Sequence, residues 1–295
     1  MYRLFGVAFI TLVLVALLAP PLPAGTLADS DDVSVVSFAT PKMGRADGAE
    51  IKGLLFKPNG EGPFPALIAL HGAGGIFPYQ LDWARFLREN GYVVLFVDSY
   101  CARGFICEHE SGDDDARRGE IMRDWQQVSV PQRVMDALGA YSVLMGKDFV
   151  KRDSIGVIGW SWGASAALFT VKLEPRNKRT NLKGVAAFYP NLQYMTQSRS
   201  WGRYDLAKPA IIFYGGRDEL ESAESYDLLK KEARANDSHV EIVLYPDGYR
   251  KFDEQAPVHT KSHPAVGEFT KGFNRSAFED SKKKLLDFLK RYLGG

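Results

Sequence analysis

The sequence predicts an α/β fold, in which a mostly parallel central sheet carries helices on both faces. Short segments rich in β-branched and aromatic residues alternate with longer segments of helical periodicity, which is typical of strand–helix–strand units. Some of the strand segments, such as Tyr92–Val97, are nearly uninterrupted apolar runs. Such runs are expected of strands that are covered on both sides.

The predicted strands extend over most of the chain. The first two have the character of an antiparallel pair, which predicts a mixed edge on the sheet. In chain order the strands are predicted at Val33–Phe38, Ile51–Phe56, Ala66–Leu70, Tyr92–Val97, Ile155–Ile158, Gly184–Tyr189, Ala210–Tyr214 and Val240–Tyr245.

Helical periodicity fills the segments between and after these strands. In Pro131–Met145 a first-turn proline and the following Gly146 support both helix ends. The other helices are predicted at Leu81–Asn90, Ala164–Val171, Ser222–Ala235 and Ser281–Leu293. No internal repeat or long polar linker divides the chain, so we expect a single domain over residues 29–295.

The N-terminus has the features of a secretory signal peptide. Arg3 precedes an apolar run from Leu4 to Leu18, which is followed by prolines and by small residues up to Ala28. The run is shorter than the roughly 20 apolar residues that span a bilayer. We therefore predict a signal peptide over residues 1–28, a periplasmic or secreted protein, and no stable membrane insertion after signal removal.

Composition and charge exclude several classes of protein. With 45% hydrophobic and 25% charged residues, the 295-residue chain has the composition of an ordinary globular protein. Removing Arg3 with the signal peptide leaves 37 − 1 = 36 basic residues against 36 acidic ones. Because such a balanced chain has no net field that would attract nucleic acid, we expect no nucleic-acid partner.

Two cysteines, Cys101 and Cys107, lie in one predicted loop. In an oxidising compartment they are expected to form a disulfide, although two free thiols are the alternative. The segment Cys107–Glu110 also contains metal-binding residue types. Because no second cluster of matching spacing accompanies it, a loop is predicted rather than a zinc site, and no metal is expected.

The segment Gly159-Trp160-Ser161-Trp162-Gly163 predicts a nucleophile. It follows a predicted strand and precedes a predicted helix, which is the context that distinguishes a nucleophile elbow from a chance G-x-S-x-G. A tight turn there exposes the Ser161 hydroxyl above the helix N-terminus, where developing negative charge is favoured. An ordinary glycine-rich turn is the alternative.

Acyl transfer also requires hydrogen-bond donors for an oxyanion. The backbone N–H of Trp162 is one candidate, and the N–H of Ala73, in His71-Gly72-Ala73-Gly74-Gly75, is the other, with Gly74 as the alternative. His71 is expected to organise this loop by hydrogen bonding rather than to act as a base.

An acidic residue at the end of a later strand completes the predicted pair of catalytic residues. The strand Ala210–Tyr214 leads into Gly215-Gly216-Arg217-Asp218, and Asp218 is the candidate that would orient a base. Glu219 is the alternative.

These segments together resemble the dienelactone hydrolase family of the α/β-hydrolase superfamily. The resemblance also includes Asp98-Ser99-Tyr100 with Arg103-Gly104, and Tyr245-Pro246-Asp247-Gly248. It implies the α/β-hydrolase fold, cofactor-free hydrolysis of a carboxylic ester or lactone and, with serine in place of the family's cysteine, an exported serine esterase.

The chain departs from the family pattern at the triad histidine, whose expected position holds Arg250. Arginine is always protonated and has no lone pair that accepts a proton from Ser161. His259, and after it His263, follow in the same predicted loop and are candidate substitute bases.

Two functions are predicted from the sequence, and it does not exclude a peptidase or acyltransferase on the same fold as a third. The first is hydrolysis of small esters or lactones through an acyl-enzyme on Ser161, without cofactor. The second is a catalytically impaired pseudo-hydrolase that acts as a binding protein.

Overall fold

A mixed eight-stranded sheet forms the centre of the molecule. The computed structural model describes residues 33–42, 48–104, 128–177, 180–192, 206, 208–235, 239–263 and 267–294. The predicted signal peptide, residues 1–28, lies outside the described residues, and so does Cys107.

The strands of this sheet lie in the order β1-β2-β4-β3-β5-β6-β7-β8. Their bounds are β1 Val33–Ala39, β2 Glu50–Phe56, β3 Phe64–Leu70, β4 Val93–Asp98, β5 Val150–Trp160, β6 Val185–Phe188, β7 Ala210–Gly215 and β8 Val240–Tyr245. The pairs β1–β2 and β2–β4 are antiparallel, and the pairs from β4 through β8 are parallel. The predicted mixed edge and mostly parallel sheet are therefore confirmed.

Helices cover both faces of the sheet, as predicted. They are α1 Pro78–Glu89, α2 Val130–Met145, α3 Trp162–Asn177, α4 Ala223–Ala235 and α5 Arg275–Tyr292. On one face, α2, α3 and α4 contribute to one buried apolar cluster, and on the other face α1 and α5 contribute to a second. The sheet is thus buried on both sides, which explains its nearly continuous apolar strands.

One segment differs from the sequence prediction. The stretch that holds His259 and His263, expected to be a long loop, contains an antiparallel hairpin of β9 His259–His263 and β10 Gly267–Lys271. Its strands are largely polar and lack the alternating pattern that predicts a strand. They form because tertiary contacts hold them. A backbone bridge joins Arg250 to Lys271, which anchors the hairpin beside the site.

Among the described residues, the helices are all too short or too polar to cross a membrane.

Candidate active site

Ser161 lies at a sharp turn between β5 and α3. Its φ is 53°, in the left-handed region that non-glycine residues adopt at real cost. The turn also requires glycine at Gly163, since a Cβ there would overlap the carbonyl oxygens of Leu70 and His71. The predicted elbow geometry is therefore present.

Arg250 joins the two predicted catalytic residues. Its Nη1 donates to Asp218 Oδ2 at 2.8 Å, and its Nη2 donates to Ser161 Oγ at 2.8 Å. The same Nη2 donates to the carbonyl oxygen of Tyr189 at 3.1 Å. Arg250 is only 5% exposed and Asp218 only 7%. The guanidinium thus lies between the serine and the acid, where the family pattern has the triad histidine.

Burial and pairing set the charge state of this ion pair. Burial raises the pKa of the Asp218 carboxyl above its usual value, and the Arg250 guanidinium opposes that rise. Burial also opposes protonation of Arg250, but the Asp218 carboxylate and other nearby acidic groups raise the pKa of the guanidinium. Arg250 is therefore a permanent cation that donates to both partners and accepts from neither.

The structure does not bring His259 to the serine. His259 is the first residue of β9, and its Nδ1 is hydrogen-bonded to the carbonyl oxygen of Pro257 at 2.8 Å. Among the described residues, the side chain that is hydrogen-bonded to Ser161 Oγ is Arg250. The geometry accordingly gives no support to His259 as a substitute base. The side chain of His263 lies outside the description.

The loop predicted to hold an oxyanion donor passes directly beside the elbow. A Cβ added at Gly72 would lie 3.5 Å from Ser161 Cβ. The Tyr100 hydroxyl donates to the Ala73 carbonyl oxygen at 3.0 Å, which holds the peptide between Ala73 and Gly74. Trp162 is the first residue of α3, so its N–H lies at a helix N-terminus. Both predicted donors thus belong to segments that meet at Ser161.

His71 organises this loop, as expected from the sequence. Its Nε2 accepts from the Ser99 N–H at 3.2 Å, and its Nδ1 lies 2.7 Å from the Gly72 carbonyl oxygen. These partners assign the neutral ring with its proton on Nδ1. Burial, and then the charge of Arg133, hold the pKa of His71 well below its usual value. His71 is therefore a neutral structural residue.

Arg103, one of the residues that carry the family resemblance, pairs with an acid of α2. Its guanidinium forms a bidentate ion pair with Asp136 of α2, at 2.9 and 2.7 Å. The carboxylate is completely buried. Glu219, the alternative acid, instead accepts from the Thr270 N–H of the hairpin. Of the two candidate acids, Asp218 is therefore the one that contacts Arg250.

Asp253 is a residue of the site that the sequence analysis missed. Its buried carboxylate accepts hydrogen bonds from Trp83, Trp160 and Tyr189. Trp160 precedes the serine, and the Tyr189 carbonyl contacts Arg250. No sequence pattern signals this cluster, since its donors lie 64 to 170 residues from the acid.

Comparisons with known proteins identify similar chains. A protein named "Putative carboxymethylenebutenolidase" from Yersinia pestis is 21% identical over 257 residues, covering 84% of this chain and 86% of the relative.

Two solved structures share the fold. A dienelactone hydrolase-like promiscuous phosphotriesterase from metagenomic libraries is 15% identical at a TM-score of 0.66, over 89% of this chain and 100% of the other. A dienelactone hydrolase from Anabaena variabilis is 16% identical at a TM-score of 0.58, over 88% and 98%. The sequence model of the dienelactone hydrolase family matches residues 51–293. The chain therefore belongs to the dienelactone hydrolase family, within the α/β-hydrolase fold.

Proposed function

We propose that this chain is an impaired hydrolase that binds a small carboxylic ester or lactone at Ser161 without efficient turnover. One observation carries the proposal. The guanidinium of Arg250 donates to Ser161 Oγ and to Asp218 in the place of the general base.

Arginine in this position reverses the direction of the proton. A triad histidine accepts the serine proton through a ring nitrogen, and a guanidinium has no such acceptor. The Arg250 contacts resemble those of a histidine that is already protonated, with one donor to the acid and one to the serine. Loss of a triad member leaves roughly 10³–10⁴-fold catalysis over water, from oxyanion stabilisation and binding alone.

The rest of the site supports binding. Because Ser161 Oγ accepts from Arg250, the serine O–H can donate to a ligand carbonyl. The N–H groups of Ala73 and Trp162 are the proposed additional donors to the same oxygen. Asp218 balances the charge of Arg250, so a neutral carbonyl compound fits the site better than an ion.

The second candidate is an active, exported serine esterase that forms an acyl-enzyme on Ser161. It is favoured by the elbow itself, where a strained φ of 53° is maintained at the serine. In this case another group, such as His259, would have to move to the serine. Wild-type turnover that Ser161→Ala abolishes would support this candidate, and a further loss in His259→Ala would identify the base.

The experiment that separates the candidates measures hydrolysis of a p-nitrophenyl short-chain ester. Wild type, Ser161→Ala and Arg250→His are compared, with Arg217→His as a matched control on an exposed arginine nearby. We expect equal low rates in wild type, Ser161→Ala and Arg217→His. Arg250→His should gain at least about tenfold, because an imidazole restores the base.

Two outcomes would contradict the proposal. If wild type is active and Ser161→Ala is not, the chain is a working hydrolase. If Arg250→His stays at the wild-type rate, while circular dichroism shows it to be folded, Arg250 is not what limits turnover.

Export is a separate proposal, supported by the N-terminal sequence. The mature protein from the cell envelope or culture medium is expected to begin at Asp29, after cleavage behind Ala28. Mass spectrometry of its N-terminal peptide tests this, and recovery of intact Met1 from the cytoplasm would contradict it.

A further inference from the structure

A buried carboxylate connects the two halves of the candidate site. Asp253 is 1% exposed, and its Oδ2 accepts from the indole N–H groups of Trp83 at 3.0 Å and Trp160 at 2.9 Å. Its Oδ1 accepts from the Tyr189 hydroxyl at 2.8 Å. These three donors satisfy most of the acceptor sites of the buried carboxylate.

Each of these contacts leads to a different part of the site. Trp160 is the last residue of β5 and immediately precedes Ser161. Tyr189 follows β6, and its carbonyl oxygen accepts from Arg250 Nη2. Asp253 itself lies three residues after Arg250, in the segment that follows β8. Asp253 is therefore linked to the elbow through Trp160. It is linked to Arg250 both through Tyr189 and through the chain segment that the two residues share.

We infer that Asp253 is a positioning residue that sets the separation between the Ser161 elbow and the turn that carries Arg250. The inference rests on the proposed function, which makes these two residues the centre of the site. Asp253 contacts neither of them directly, so its effect must pass through Trp160, Tyr189 and its own short chain segment.

The chemistry of the cluster accounts for an acid at this position. A carboxylate is an acceptor only, and it accepts from two indole N–H groups, which cannot accept in return. The Tyr189 hydroxyl also contacts the Tyr79 hydroxyl at 3.2 Å, so the cluster extends to α1. Charged groups nearby are Lys251 and Glu254, a partly buried pair at 3.3 Å.

The position of the Arg250 guanidinium can be observed without any turnover. Guanidinium N–H protons give slowly exchanging NMR signals when hydrogen bonds hold them, and Arg250→Lys identifies the signal by its loss. Tyr189→Phe removes one link to Asp253 but retains the backbone carbonyl and the ring beside Arg250. Asp253→Leu removes all of the links. Asp253→Asn preserves them if its amide N–H₂ faces the Tyr189 oxygen.

Tyr189→Phe removes the hydroxyl's hydrogen bond to the Asp253 carboxylate and its contact with Tyr79. We expect exchange of the Arg250 protons to rise by about tenfold or more, because a hydrogen bond to a charged group is lost. Asp253→Leu should lose the signal, and Asp253→Asn should retain it. Leu285→Ala, a cavity variant in the fully buried part of α5, is the control for destabilisation alone.

The inference is overturned if Tyr189→Phe leaves exchange unchanged, or if Leu285→Ala accelerates it as much. Should Asp253→Leu fail to fold, Tyr189→Phe still decides the matter. Because no ester hydrolysis is measured, an active wild type would refute the proposed function without affecting this result.

Discussion

Arg250 and Ser161 lie 89 residues apart in the chain and share one hydrogen bond, in which guanidinium Nη2 donates to hydroxyl Oγ at 2.8 Å. The direction of that bond is opposite to the one that a general base requires. A base would receive the serine proton, whereas Arg250 supplies one of its own. Asp218 contacts the other terminal nitrogen of the guanidinium.

The buried Arg250–Asp218 pair should show strong coupling in stability. Arg250→Met or Asp218→Leu alone leaves a buried charge without its partner, and each should lower the free energy of unfolding by about 3–5 kcal/mol. The double variant should lose much less than the sum of the two, as measured by urea unfolding.

The exposed pair Arg217–Asp247 is the control for this comparison of single and double variants. Surface ion pairs contribute only about 0–1 kcal/mol to the free energy of unfolding. Additive losses at Arg250 and Asp218 would contradict the ionic pairing of these two residues.

The elbow should not tolerate a side chain at Gly163. A Cβ there overlaps the Leu70 and His71 carbonyl oxygens, so Gly163→Ala should destabilise the fold by about 3 kcal/mol or more. Gly146→Ala is the matched control, since its added Cβ would lie no closer than 3.5 Å to a neighbouring atom. Comparable melting temperatures for the two variants would show that the turn can relax.

Asp253 should make stability depend on pH. Burial raises its pKa to about 6, although the three hydrogen bonds lower it. Because the folded state holds this proton more tightly than the unfolded chain, the stability that it contributes is present below about pH 4 and is lost as the pH rises to about 6.

The loss should reach about 3 kcal/mol by pH 7. Since Asp253→Asn does not titrate, the difference in unfolding free energy between wild type and this variant should change over that pH range. A difference that is constant from pH 4 to pH 7 would contradict the raised pKa.

The disulfide between Cys101 and Cys107 stays a prediction, because Cys107 lies outside the described residues. In protein isolated from an oxidising compartment, alkylation before reduction should add no mass, and alkylation after reduction should add two labels. Two labels without reductant would show free thiols instead.

Local sequence was sufficient to predict the elements that position the site. The strand before Ser161 and the helix after it were predicted from apolar runs bounded by glycine, and they occur as β5 and α3. The hairpin of β9 and β10 was not predicted, since its polar strands carry no alternating pattern and depend on contacts with Arg250 and Glu219.

By itself, the sequence determined that a serine stands at an elbow, that Asp218 follows a strand end and that no histidine occupies position 250. These features reside in short segments whose local backbone preferences specify them. Only the tertiary structure decided that Arg250 lies between the serine and the acid, and that His259 contacts Pro257. It also decided that Asp253 accepts hydrogen bonds from three distant residues. Those contacts join residues far apart in the chain, and packing of the sheet and helices brings them together.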